Sequence, residues 1–443
     1  MTLQRTTRLA TALLLAAGAT ACAGGSSTKT TADTATGQDL KGQNVTVAAV
    51  WSGTEQTAFK KVLDAFTAKT GATTTFISTG DNLSTVVGSK IQGGDPADVV
   101  MVPQPGVLKQ FVQQGWLEPL APAVTDAAKK NFSAVWSSLG TVNGTQYGLY
   151  FKAADKSTIW YSPTALQNAG ITAPPATFGD LLKDGKALAD SGTAAFSVAG
   201  QAGWPLTDWF ENVYLSQAGP DMYDKLARHE IPWTDPSVIQ ALTTLGQIFG
   251  SPQLVAGGGK GALQTDFPTS VQNVFGPQPK AAMTYEGDFV AGVISGDLGK
   301  AVGTDAKVFP FPSVGAKAPV MGGGDAAVVL KDAKHKDAAQ KLLEFLASPE
   351  AAAVWAKQGG FLSPNKALAL SLYPDDTTRQ FAKSLIDAGD SFRFDMSDQA
   401  PAAFGGTAGA GEWKDLQDFL ANPADPQGAA QRLEQDAAKA YKG

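Results

Sequence analysis

Carboxylates and aromatic rings cluster in this chain, whereas nucleophiles do not. The run GWPLTDWFEN, residues 203–212, puts Trp204 just before a predicted helix that opens at Pro205. Asp208 and Glu211 follow, three residues apart on one helical face. A second run, Tyr285-Glu286-Gly287-Asp288-Phe289, falls where a strand ends and a helix begins. Asp288 there is either a ligand contact or a first-turn acid favoured by the helix dipole. An indole offers a flat apolar surface, and a carboxylate accepts hydrogen bonds, so such groupings suit the binding of a polar solute. Each also has a plainer reading, a packed helix with solvated acids.

Further candidates sit at strand ends. Thr54 and Glu55 lie between the first strand and its helix, Asp81 follows the second strand, and Gln104 follows the third. Gly324 and Asp325 belong to a GGGD run, where the glycines either admit a ligand to the backbone or serve turn geometry. Arg393, in DSFRFD, is either a forked donor or a surface ion pair. Catalytic groupings are poor by comparison. His229 and His335 are the only histidines, each flanked by charges, in RHE and KHK, and both read as surface residues. The GGGKG run at 257–261 lacks the Lys-Ser/Thr ending of a phosphate loop and reads as a flexible loop.

Cys22 is the only cysteine. It excludes an internal disulfide, thiol catalysis and a cysteine-zinc site elsewhere in the chain. It closes a segment with a basic start (Arg5, Arg8), an apolar run Leu9–Ala19 and small residues Ala19, Thr20 and Ala21. That order describes a secretory signal, with an apolar run too short to span a bilayer. Residues Ala23–Leu40 are small and polar and read as a tether. The formal charge is −6, and loss of the two signal arginines makes the remainder more acidic. An acidic balance argues against a nucleic-acid partner.

The elements that must position these residues begin at Val45–Val50, a buried-strand run. Phe59, Val62, Leu63 and Phe66 then recur at helical spacing between a Thr54 cap and a Gly71 stop. Thr73–Ile77, a helix over Asn82–Ile91, the strand Ala97–Val102 and a helix over Pro105–Gly115 continue the alternation, which predicts a mostly parallel α/β sheet. Two short β-like runs, Tyr147–Phe151 and Thr158–Tyr161, precede a helix-rich stretch from Thr177 to Ile294. Thr177 and Asp180 form a candidate capping box there. The α/β rhythm resumes at Ala326–Leu330, followed by helices over Lys336–Ala347 and Pro349–Gln358. An α/β unit interrupted by a helical one and then resumed predicts two lobes with a ligand cleft between them.

Several segments together resemble a known family. Val320–Leu368, VMGGGDAAVVLKDAKHKDAAQKLLEFLASPEAAAVWAKQGGFLSPNKAL, is similar to the late segment of extracellular solute-binding proteins that deliver sugars to ABC importers. Gly94–Leu120, Tyr147–Leu166 and Lys280–Ile294 fit the same family in the same order. The PQPG and WPLTDWFEN segments resemble its α-glucoside-binding branch. The end of the first segment at a sole Cys22 resembles a bacterial lipoprotein signal; the alternative is an ordinary signal with an incidental cysteine.

The resemblance implies a two-lobed periplasmic-binding-protein fold of α/β class that closes on its ligand like a flytrap. It implies a signal over 1–21, a tether over 22–40, one lobe from 41–153 plus 318–360, and another from 154–317 plus 361–443. The crossings between lobes are expected near Phe151–Thr158 and Phe309–Val320. It implies a monomer outside the cytoplasm that is not an enzyme and needs no cofactor or metal. Cys22 would be acylated and hold the chain to the lipid bilayer, and an ABC permease would receive a neutral sugar. The ligand contacts expected are Thr54, Glu55, Asp81, Gln104, Trp204, Asp208, Glu211, Glu286, Asp288, Gly324, Asp325 and Arg393. Two alternatives stay open: a secreted glycosidase working through an acid pair, and a receptor of the same fold for a charged solute.

Overall fold

A computed structural model describes residues 40–388 and 392–442. The signal, Cys22 and all of the tether before Leu40 lie outside the described residues.

Two sheets organise the chain. In the first, Asn44–Ala49 pairs in parallel with Thr73–Ser78 on one side and Val99–Val102 on the other. The long strand Met321–Leu330 then runs antiparallel to both Val99–Val102 and Gly148–Asp155. The sheet is therefore mixed rather than mostly parallel, because the chain re-enters it from the opposite direction after its excursion. The resumed strand also starts five residues earlier than the apolar run at Ala326 suggests. Its first half, Met321–Asp325, contains Gly322, Gly323 and Gly324, which no hydrophobic pattern marks.

Those glycines answer a steric demand. A Cβ on Gly322 would lie 2.3 Å from the Ala154 carbonyl oxygen, and one on Gly324 would lie 2.6 Å from that of Lys152. The strand Gly148–Asp155 presses on Met321–Leu330 closely here, with a register irregularity between Asp325 and Ala326.

The second sheet is antiparallel over Lys307–Pro310, Thr158–Tyr161 and Ala281–Tyr285, with Ala194–Ser197 added in parallel. It and its helices bury their own core, including Phe196, Trp209, Phe210, Leu242 and Leu416.

The first helix shows how the local sequence acts. Gly53–Thr70 buries Phe59, Val62, Leu63 and Phe66, the set expected from the spacing. It stops at Gly71, whose φ of +77° favours glycine and whose N–H reaches the Thr67 carbonyl. Its start differs from expectation: the N-cap position is Ser52, and Thr54 lies inside the first turn. The Thr54 hydroxyl donates instead to Asp297, on the segment between Ala281–Tyr285 and Lys307–Pro310 of the second sheet. Thr177 does cap its helix, accepting the Asp180 N–H at 3.1 Å, but its hydroxyl donates to the Asp180 carboxylate, so the box is not reciprocal through the backbone. Gly258–Ala262 forms a short helix where a loop was expected. His229 is half-buried against Glu434 and Tyr441 rather than on an open surface, and His335 is also half-buried.

The chain passes between the sheets at three places, and these lie side by side. The Lys156 N–H donates to the Met321 carbonyl at 2.9 Å, and the Asp395 N–H donates to that of Gly322 at 2.8 Å. Ser157 Oγ accepts the Met321 N–H and donates to Asn212 Oδ1.

Candidate functional site

A cavity of about 420 Å³ opens between the elements of the two sheets, within the usual range for small-molecule sites. Its floor is one face of the strand end at 152–156. Lys152, Ala154 and Lys156 all line it, because alternate residues of a strand share a face. Phe151 and Ala153 point the other way, into the core.

Each lysine holds a cluster of carboxylates. Lys152 Nζ lies 2.9 Å from Asp325 and 3.0 Å from Glu55, and 5.5 Å from the centre of the Trp51 ring. Lys156 Nζ lies 2.5 Å from Asp395, 3.2 Å from Asp208 and 3.5 Å from Asp398, and 5.7 Å from the centre of the Trp204 ring. Burial alone would push both ammonium groups down. The surrounding carboxylates prevail and hold both pKa values well above the usual lysine range.

One ammonium cannot neutralise three carboxylates. Burial raises Asp208 well above its usual range. Burial, then the neighbouring Asp395 charge, raises Asp398 to about 8. Asp395 also resists burial, but Lys156 and hydrogen bonds from its neighbours bring it below its ordinary value. Asp395 is thus the charged partner of Lys156, and burial holds Asp208 and Asp398 toward their protonated forms. Asp208 is itself fully buried at the cavity wall, with Oδ1 turned to Lys156.

Of the residues singled out in the sequence, Thr54, Glu55, Asp81, Gln104, Trp204, Asp208, Gly324 and Asp325 line this cavity. Trp204 is the first residue of the helix Trp204–Ala218 rather than part of the loop before it, and it packs on Phe267 and Phe289. Gln104 stands at the N-cap position of Pro105–Gln113. Asp81 sits in a short turn, Gly80–Asn82, on the cavity rim.

Four candidates have other settings. Glu211 is fully buried beside the short helix Met396–Gln399. It accepts the N–H groups of Met396 at 2.6 Å and Ser397 at 2.9 Å, and the Tyr223 hydroxyl. Three residues along a helix turn a side chain about 60° from its predecessor, so Asp208 reaches the cavity and Glu211 reaches its neighbour. Glu286 is buried behind the Lys156 cluster, accepts the Gly287 N–H, and is raised by burial to about 8. Asp288 accepts the Asp155 N–H at 2.8 Å, and burial raises it to about 8 as well. Arg393 pairs with Asp224 at 2.7 Å.

Lys152, Lys156, Asp398, Trp51 and Trp413 also line the cavity, and no motif in the sequence singles them out. The two lysines carry a faint signal: they stand four residues apart, on one face of an extended run, at the end of an apolar strand, FKAADK. Nothing local marks Asp398, which the third crossing delivers.

These features define a binding cleft in a fold built from two α/β units. Residues 51–353 match the bacterial extracellular solute-binding protein family, and the chain belongs to that family. It is 32% identical over 410 residues to the alpha-glucosides-binding periplasmic protein AglE of Rhizobium meliloti (strain 1021), covering 89% of this chain and 87% of that one. It is 30% identical over 386 residues to the osmoprotective compounds-binding protein GgtB of Synechocystis sp., covering 85% and 89%. Among solved structures it matches the bacterial solute receptor AcbH, described as having an exclusive preference for b-D-galactopyranose. The TM-score is 0.77 at 22% identity, with 90% of this chain and 99% of that one covered. The two-lobed α/β architecture expected from the sequence is the fold of the molecule. Among the described residues no helix is long and apolar enough to cross a membrane.

Proposed function

We propose that the protein is an extracytoplasmic receptor that captures a sugar, of the α-glucoside class, in this cleft and presents it to an ABC permease. The observation that carries the reading is the lining itself. Rings of Trp51, Trp204, Phe289, Trp355 and Trp413 share the cavity with the lysine-held carboxylates of Glu55, Asp325, Asp208 and Asp398. Sugars present apolar C–H faces for the rings and hydroxyls that both donate and accept. The Rhizobium relative, named for binding alpha-glucosides, supports the glucoside class. The relative named for osmoprotective compounds favours a second reading, a small osmoprotective solute in the same cleft.

In this reading the lobes hinge about the three crossings, ligand favours the closed arrangement by touching both walls, and the chain binds without turning its ligand over. Acylated Cys22 holds it to the membrane as a monomer. A thermal-shift screen over α- and β-linked disaccharides, monosaccharides and osmolytes tests the assignment, because a ligand that binds only the folded state raises Tm. A rise with α-glucosides supports it. A response confined to charged solutes, or products released from a glycoside, would replace it.

A further inference from the structure

A hydrogen bond joins the two walls of the cleft on its rim. Thr54 stands in the first turn of Gly53–Thr70, just after the first strand of the first sheet. Asp297 ends the short segment Val293–Asp297, which lies between two strands of the second sheet. Both residues line the cavity, and Asp297 is exposed. The Thr54 hydroxyl donates to Asp297 Oδ1. The other carboxylate oxygen faces Gly53, where a Cβ would lie 3.3 Å from Oδ2. The carboxylate therefore sits at the positive end of a long helix that belongs to the opposite wall. Glycines make the seam around this bond. A Cβ on Gly296 would overlap the Thr54 side chain, and one on Gly360 would lie 2.8 Å from the Gly292 Cα. At these points no side chains interlock, so the contact can part and re-form.

We infer that Thr54 and Asp297 form a latch that fastens when the lobes close and sets how long a solute is held, and that Gly296 is glycine so that the latch can shut. The inference rests on the hinged-receptor reading above. In an open cleft both groups bond to water, and closure exchanges those bonds for the direct one, a modest net gain. The gain belongs to the closed arrangement itself, not to any solute. It therefore tightens binding of every solute by the same factor, whereas a direct ligand contact discriminates among them. Because a solute leaves only after the cleft opens, the latch acts on dissociation more than on association.

The experiment measures calorimetric affinity and stopped-flow rates for maltose and trehalose on wild type, Asp297→Ala, Thr54→Ala, the double variant and Gly296→Ala. Each single alanine at the latch should weaken both sugars by one common factor, about threefold to tenfold, through faster dissociation. The Tm of the ligand-free variants should stay within a few degrees of wild type, since Asp297 is exposed. The double variant should bind no more weakly than the weaker single one, because both substitutions remove the same bond. Gly296→Ala should weaken both sugars as well, and its saturated form should show a larger radius of gyration by small-angle scattering than saturated wild type. Additive losses in the double variant, or a loss confined to one sugar, overturn the inference, since Thr54 and Asp297 would then be separate ligand contacts. Unchanged affinities in Asp297→Ala, or full compaction of a tightly binding Gly296→Ala, overturn it too. Wild type that binds glycine betaine and neither disaccharide overturns the α-glucoside reading instead, and the same variants titrated with glycine betaine then decide the latch.

Discussion

Asp155 and Asp288 hold each other through two hydrogen bonds. The Asp155 N–H donates to Asp288 Oδ1 at 2.8 Å, and the Asp288 N–H donates to the Asp155 carbonyl at 3.0 Å. One partner ends a strand of the first sheet, and the other follows a strand of the second. The pair is a clasp at a crossing between the sheets.

Asp288→Ala should therefore cost stability. Removing the carboxyl leaves the buried Asp155 N–H without its acceptor, a loss of about 1–3 kcal/mol. Ligand affinity of the folded variant should stay within about threefold of wild type, because Asp288 does not line the cavity. Urea unfolding and calorimetric titration on the same preparation check this. Full stability with lost affinity would put Asp288 in the binding site after all.

Trp204→Ala should act in the opposite sense. The ring lines the cavity, is only half-buried, and packs on Phe267 and Phe289. Truncation should remove on the order of 1–3 kcal/mol of ligand binding, roughly tenfold to more than a hundredfold in Kd. Tm without ligand should fall by only a few degrees. A collapsed Tm with unchanged Kd would identify the ring as core.

Stability should decline as pH rises through neutrality. Burial raises Glu286, Asp288 and Asp398 to about 8, from ordinary values of 4.5, 3.8 and 3.8. The folded chain keeps these protons at pH values where the unfolded chain has already released them. Their contribution is thus most favourable below about pH 4 and is lost progressively toward pH 8, beyond which it levels off. The urea midpoint should be higher at pH 5.5 than at pH 8.5, and Glu286→Gln should flatten that slope. A midpoint that climbs with pH would contradict the assignment of protons to these acids.

Cys22→Ser should release or misprocess the protein in cells and leave ligand affinity of the purified mature chain unchanged. Fractionation of membrane from soluble material checks it; full membrane retention in the variant would exclude a tether through this thiol.

The sequence was most legible where one local pattern sufficed. Phe59, Val62, Leu63 and Phe66 announced a buried helix face, and the apolar run at Val99–Val102 announced a buried strand. It was least legible where distant segments meet. Lys152 and Lys156 look like ordinary surface charges until Met321–Leu330 and the 395–398 segment bring carboxylates to them. Glu211 and Asp208 look equivalent in GWPLTDWFEN, yet one is taken by a helix more than 180 residues later. The glycine half of Met321–Leu330 was invisible for a different reason. Close packing of two backbones selects against side chains, so it leaves no hydrophobic signature.

The strand Met321–Leu330 also bears on how the molecule is made. It joins Val99–Val102 to Gly148–Asp155, yet the ribosome adds it only after every strand of the second sheet. While the chain is being synthesised, the first sheet therefore lacks its middle for most of the elongation time, and its exposed strand edges wait on a segment more than 160 residues downstream. Such distant pairing slows folding and leaves an incomplete sheet open to chaperones in the meantime.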